Sequence, residues 1–143
     1  MKLPSEELQK AYYTALNGNI TSGGSNVPVF DVVPPDEDYP YIHMVGQNVV
    51  ESNFNSDKRI TDIIMEVDVV TGYDGSFGGK KIMYQISEDV VELIRLTAGN
   101  YVSLSGFTML TATLDSSFSR EEESQTHVLF INRLRFRHKI QEN

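Results

Sequence analysis

The 143-residue sequence contains no cysteine. That excludes disulfides, thiolate nucleophiles and thiolate metal sites, and leaves the redox compartment unreadable. No stretch approaches the ~18 apolar residues that would span a bilayer. Positive charge is scarce: 12 Lys and Arg stand against 20 Asp and Glu, a formal net charge of −8. Phosphate backbones and anionic lipid are bound by neutralising their charge, so this balance disfavours sequence-specific nucleic-acid binding and membrane partners. The opening residues carry Glu6, Glu7 and Lys10 with no apolar run behind them, unlike a signal peptide. Without secretion the Asn19-Ile20-Thr21 sequon carries no meaning.

What is present is ordinary globular composition, 40% hydrophobic and 22% charged. A chain of this length is expected to form one domain, 1–143, with a continuous core. Leu8, Ala11, Tyr12, Ala15 and Leu16 recur at helical spacing. Ser5 is a candidate cap, acids fill the first turn, and Asn17-Gly18 provides a stop. A Gly/Ser linker over Thr21–Asn26 leads to a short strand over Val27–Val33, which Pro28 confines to a sheet edge. Pro34–Asp38 reads as an acidic loop, and a strand runs from Tyr39 to Val50. A turn at Asn53–Asp57 precedes the clearest strand, Lys58–Thr71. There Ile63, Met65, Val67 and Val69 alternate with Asp62, Ile64, Glu66 and Asp68. Beyond a glycine-rich loop, Gly72–Gly79, a second helix places Ile82, Met83, Ile86, Val90, Leu93 and Ile94 on one face and ends at Ala98–Asn100. Strands over Phe107–Leu114 and Thr126–Arg137 follow, separated by a polar loop, Asp115–Gln125.

The order α-β-β-β-α-β-β has too few helices for a parallel doubly wound sheet. It predicts an α+β fold: an antiparallel or mixed sheet of four to five strands with two helices on one face.

Constellations for chemistry fail one by one. A phosphate loop ending at Lys80 would need glycine where Asp74 stands and Ser or Thr where Lys81 stands. His43, His127 and His138 lack metal-ligand spacing, and His127 and His138 are expected on a strand surface. No Gly-x-Ser-x-Gly elbow supports a triad. Asp36/Asp38 and Glu121–Glu123 lie in hydrophilic stretches, whereas general-acid work needs burial. No catalytic residue, cofactor or metal is expected, and the chain reads as a non-enzyme.

Two charge stripes are candidates for a subunit interface. Asp62, Glu66 and Asp68 share one face of a strand; Arg133, Arg135 and Arg137 share one face of another. Cross-strand pairing on the wet side of one sheet is the favoured account, at ~0.2–1 kcal/mol per pair. A neighbouring subunit supplying the opposite charge is the sharper one. Phe118 and Arg120, within the long polar loop, are further candidates for an arm that orders on a neighbour.

The layout resembles the tail-completion, or tail-to-head joining, proteins of long-tailed bacteriophages, related in fold to tail terminators. The residues that carry the resemblance begin with the helix Leu8–Leu16, Val29-Phe30-Asp31 and the proline-bearing acidic loop. They continue through Tyr39-Pro40-Tyr41-Ile42, like the family's Pro-Tyr-Ile strand opening, the long alternating strand and the helix Ile82–Leu96. A closing hairpin with His127-Val128-Leu129-Phe130 and a basic strand completes the set. The resemblance implies a non-catalytic virion protein, assembled in the bacterial cytoplasm or encoded by a prophage. It would form a homo-oligomeric ring, a hexamer, at the head-proximal end of the tail, between the tail tube and the head-completion proteins, with DNA passing through. The alternative from another class is a small ligand-binding or enzymatic domain with a pocket between sheet and helices.

Overall fold

A computed structural model describes residues 3–53, 59–74, 80–97, 100–123 and 126–143. Along the chain the elements are α1 (Ser5–Leu16), β1 (Thr21–Ser22), β2 (Ser25–Asn26), β3 (Val29–Phe30), β4 (Tyr41–Asn53), β5 (Ile60–Asp74), α2 (Lys81–Ile94), β6 (Arg95–Thr97), β7 (Asn100–Tyr101), β8 (Phe107–Glu123) and β9 (His127–Glu142). Five strands form the main sheet in the order β3-β4-β5-β9-β8. All neighbours are antiparallel except the two-residue β3, which runs parallel to β4. The fold is α+β, and β1/β2 and β6/β7 are small separate ribbons.

Period two decides which face is buried. From β5, Ile63, Met65, Val67 and Val69 point one way; from β9, Val128, Phe130, Leu134, Phe136 and Ile140 join them. Onto this face α1 lays Leu8, Tyr12 and Leu16, and α2 lays Met83, Ile86, Val90 and Ile94, all buried. The opposite face, with Asp62, Glu66, Arg135 and Arg137, carries no helix among the described residues.

Several boundaries differ from the sequence reading. Pro4, not Ser5, precedes the first turn of α1, and no side chain caps it. The Thr21–Asn26 linker folds back on itself as β1/β2, because Gly23 and Gly24 both take positive φ, the geometry of a two-residue hairpin turn. Only Val29–Phe30 of the expected edge strand pairs. Gly72 belongs to β5, where a Cβ would stand 2.8 Å from Leu129 Cδ2 and 2.9 Å from Tyr39 Cε2; residues 75–79 and 98–99, and the turn at 54–58, lie outside the described residues.

The largest correction concerns Asp115–Gln125. The expected loop is strand through Glu123, paired with β9 residue by residue from Ser116↔Arg135 to Glu123↔Val128. Low β propensity in Asp-Ser-Ser and Glu-Glu-Glu is outweighed by a partner strand already fixed in the core, which pairs the backbone groups on the inner side of β8. Residues 124–125 lie outside the described residues.

His138 is the second correction: it is fully buried, not on a strand surface. In β9 it shares the face of Phe136 and Ile140, and α1 covers it. The Tyr12 hydroxyl and Nε2 share a hydrogen bond, and the two rings meet edge-on with centroids 5.5 Å apart. Burial lowers the imidazole from its ordinary 6.5 to about 4, with the Thr111 backbone acting the other way. The same burial raises the Tyr12 hydroxyl well above its ordinary value. Both groups are therefore neutral at pH 7, which is what a donor–acceptor pair in an apolar core requires.

A second buried polar chain ties α2 to the sheet. Ser117 Oγ donates to Asn132 Oδ1 at 3.1 Å, Asn132 Nδ2 donates to Ser87 Oγ at 2.9 Å, and Ser87 Oγ donates to the Met83 carbonyl at 2.7 Å. Asn132 is 1% exposed, so these bonds satisfy an amide that would otherwise cost ~1–3 kcal/mol to bury.

Candidate interaction surface

The helix-free face of the sheet brings the two charge stripes side by side. Register sets Asp68 opposite Arg133, Glu66 opposite Arg135 and Asp62 opposite Lys139. Arg133 grips Asp68 with two bonds, Nε to Oδ1 at 2.9 Å and a second nitrogen to Oδ2 at 3.0 Å. Arg133 also lies 3.7 Å from Glu66, Arg135 lies 3.6 Å from Glu66, and Lys139 lies 3.9 Å from Asp62. Arg137 reaches the other way, to Asp115 on β8 at 3.8 Å. The stripes are therefore neutralised within one chain, the cross-strand account of the two weighed from the sequence.

These pairs differ in worth. Asp68 has 8% of its side chain exposed, and Arg133 35%. The bidentate geometry and partial burial make it the strongest link on the face. The hydrogen bond to Asp68 holds the Arg133 guanidinium above its ordinary value, against the effect of burial. The remaining pairs are longer and more exposed, so water screens them. Arg133→Met is expected to lower stability by about 1–3 kcal/mol, because it leaves the Asp68 carboxylate buried with no cation. Arg137→Met should change stability by no more than about 0.5 kcal/mol. Urea midpoints of the two variants check both numbers.

Toward the far end of the β8–β9 hairpin the surface turns acidic and aromatic. Phe118 is 66% exposed, and Arg120 pairs with Glu122 at 3.5 Å. Tyr41 stands near this end; burial first, and then the charges of Asp68, Glu122 and Glu37, raise its hydroxyl. Tyr84 of α2 meets Ser119 at 3.4 Å, the last link between helix and hairpin before Glu121–Glu123.

Sequence reasoning identified Asp62, Glu66, Asp68 and the three arginines as co-facial. It missed Lys139 and Asp115, although Lys139 continues the period-two row of Arg133, Arg135 and Arg137 and could have been added on that signal. Asp115 carried no such signal, since its segment was read as loop.

Among the described residues, the side chains between sheet and helices form one buried apolar cluster. Two of the open depressions among the described residues lie along α1. One, of about 400 Å³, is bordered by Glu6, Lys10, Tyr13, Asp31 and Met44; the other, of about 340 Å³, by Lys10, Thr14, Val102 and Ser103. Among the described residues no group of three His, Asp or Glu side chains is placed to hold a metal ion, and no helix is long and apolar enough to cross a membrane. Comparison with protein-family models and with curated proteins finds no match to this chain.

Proposed function

We propose that this chain is a structural subunit of a bacteriophage tail, a tail-completion or terminator-like protein. In this reading it assembles with copies of itself into a ring that joins tail to head, and its polar groups set docking geometry. The observation that carries the reading is the β8–β9 hairpin. Its strands are 17 and 16 residues long, and β8, at the edge of the sheet, exposes an aromatic and three acids between Phe118 and Glu123. An element that long, anchored in the core through β9 and exposed along its outer strand β8, suits contact with a neighbour. A net charge of −8 suits a passage for DNA, because like charge keeps the phosphate backbone from adhering.

Multi-angle light scattering over a wide concentration range, with electron microscopy of the same samples, tests this. The expected result is a discrete multiple of the 16.1 kDa chain mass that grows with concentration and appears as rings. A chain that stays at 16.1 kDa throughout, and whose melting temperature rises with a small metabolite, would overturn it in favour of a ligand-binding domain.

A further inference from the structure

We propose that the main sheet continues from one copy of this chain to the next, the outer edge of β8 pairing antiparallel with the outer edge of β4 of a second copy. This rests on the ring reading and specifies which surfaces make the ring.

Strand direction comes first. From β4 through β5 and β9 to β8 each step is antiparallel, so the two long edge strands point in opposite directions. A second copy rotated about an axis along the strands therefore brings its β4 antiparallel to β8 of the first. Pairing of this kind uses two different surfaces of each chain, and head-to-tail contacts close into rings when the rotation permits.

Both edges have open, uncharged stretches, six residues on β4 and four on β8. The short β3 covers β4 only at Ile42 and His43, and among the described residues nothing pairs with β4 from Val45 to Val50. No strand pairs with the outer side of β8 among the described residues. Edge strands are usually protected by charge, proline or bulges. Neither stretch contains a charge or a proline: β4 offers Val45-Gly46-Gln47-Asn48-Val49-Val50, and β8 offers Thr111-Ala112-Thr113-Leu114. Bulges do occur: one on β4 takes in Val45, between Met44 and Gly46, and the others, at Glu51/Asn53 on β4 and at Met109/Thr111 and Leu114/Ser116 on β8, fall at the ends of the stretches.

The free stretches also stand at the same height. Following register across the sheet, Val50 is level with Asp62, Lys139 and Thr111, while Asn48 is level with Ile64, Arg137 and Thr113. A neighbour added without a shift along the strands sets Val50 beside Thr111 and Asn48 beside Thr113, all on the helix-free face. Val49 and Ala112 then meet on the core face. No like charges face each other. Above this stretch Phe118 is level with His43, so it lies beside Phe30 of the neighbour's β3.

The chain's lack of cysteine makes a direct test available. Facing residues of an antiparallel pair have Cα atoms about 4.5–5.5 Å apart, within disulfide range. Val50→Cys combined with Thr111→Cys, in the full chain under mild oxidation, is expected to give a ladder of disulfide-linked species that ends at a closed ring. The pair Asn48→Cys with Thr113→Cys should do the same, and each single variant should give no ladder. Rings seen by light scattering without a ladder from either pair would overturn the edge pairing and leave the ring reading standing. Neither rings nor ladder would overturn both. Efficient dimers from Thr111→Cys alone would show β8 pairing with itself, a two-fold contact incompatible with the proposal. As a further check, Thr111→Glu with Thr113→Glu adds charge to two exposed positions that face Lys139 and Arg137 across the strands; a monodisperse monomer whose melting temperature is not lowered is expected, and intact rings would count against the edge.

Discussion

Phe136→Ala is expected to cost about 3–5 kcal/mol of folding stability. The ring is fully buried in β9, the strand that pairs on both sides over most of its length. Register sets it between Met65 of β5 and Leu114 of β8, while Tyr12 of α1 meets it edge-on with centroids 5.9 Å apart and His138 stacks on it. Truncation removes transfer free energy and leaves a void bordered by side chains from α1 and three strands. Those neighbours belong to a hydrogen-bonded ladder, so they can collapse into the space only by breaking register. A typical small domain has only about 5–15 kcal/mol in total. The variant should therefore show a much lower urea midpoint at an unchanged slope, and a loss under about 1.5 kcal/mol would mean the core is not centred on this ring.

How such a centre could be read in advance differs from element to element. In β5 the alternation from Asp62 to Val69 names the face that meets the helices; the other face is wet only in part, since Asp68 and Val70 are buried on it. The apolar stripe of α1, from Leu8 to Leu16, is legible for the same reason. For β8 the local signal ends at Leu114. Ser, Asp and Glu carry no alternation when both faces of an edge strand are wet, and the burial of β8 falls away beyond Ala112. Its last residues are strand because β9 is, which is information held elsewhere in the chain. The stripes were legible as stripes, and their mutual neutralisation was one of two accounts until register set Arg133 against Asp68. Lys139 lay on the same period and was passed over.

His138 was misread for another physical reason. Histidine is intermediate in burial preference, and a sequence shows neither the helix that covers it nor the Tyr12 hydroxyl that satisfies it. The spacing nevertheless placed it on the apolar face, in step with Phe136 and Ile140. Asn132 hides in the same way: it occupies an apolar-face position between Phe130 and Leu134, and only the arrival of Ser87 and Ser117 makes its burial tolerable.

The buried histidine leads to the second large effect, a loss of stability in acid. In the unfolded chain His138 takes up a proton near its ordinary 6.5; in the folded chain it does so only near 4. Between these values the unfolded state binds more protons, so stability rises with pH across the window. The contribution is fully present above about pH 6.5 and is lost as the pH falls toward 4. A difference of that size corresponds to about 3 kcal/mol. On protonation Nε2–H can only donate, with the Tyr12 hydroxyl oxygen as its acceptor, so the cost comes from burying the imidazolium charge and not from losing this bond. The replacement Tyr12→Phe with His138→Phe removes both partners together and leaves no orphaned polar group, a change that can be nearly neutral at pH 7. Urea unfolding at steps from pH 7 to pH 4 is expected to show the wild-type chain losing about 3 kcal/mol more than this double variant. Parallel pH profiles for the two proteins would remove His138 as the source of the slope. Tyr12→Phe alone should keep the slope and lower stability by about 1–3 kcal/mol at pH 7, because it leaves Nε2 buried without a donor.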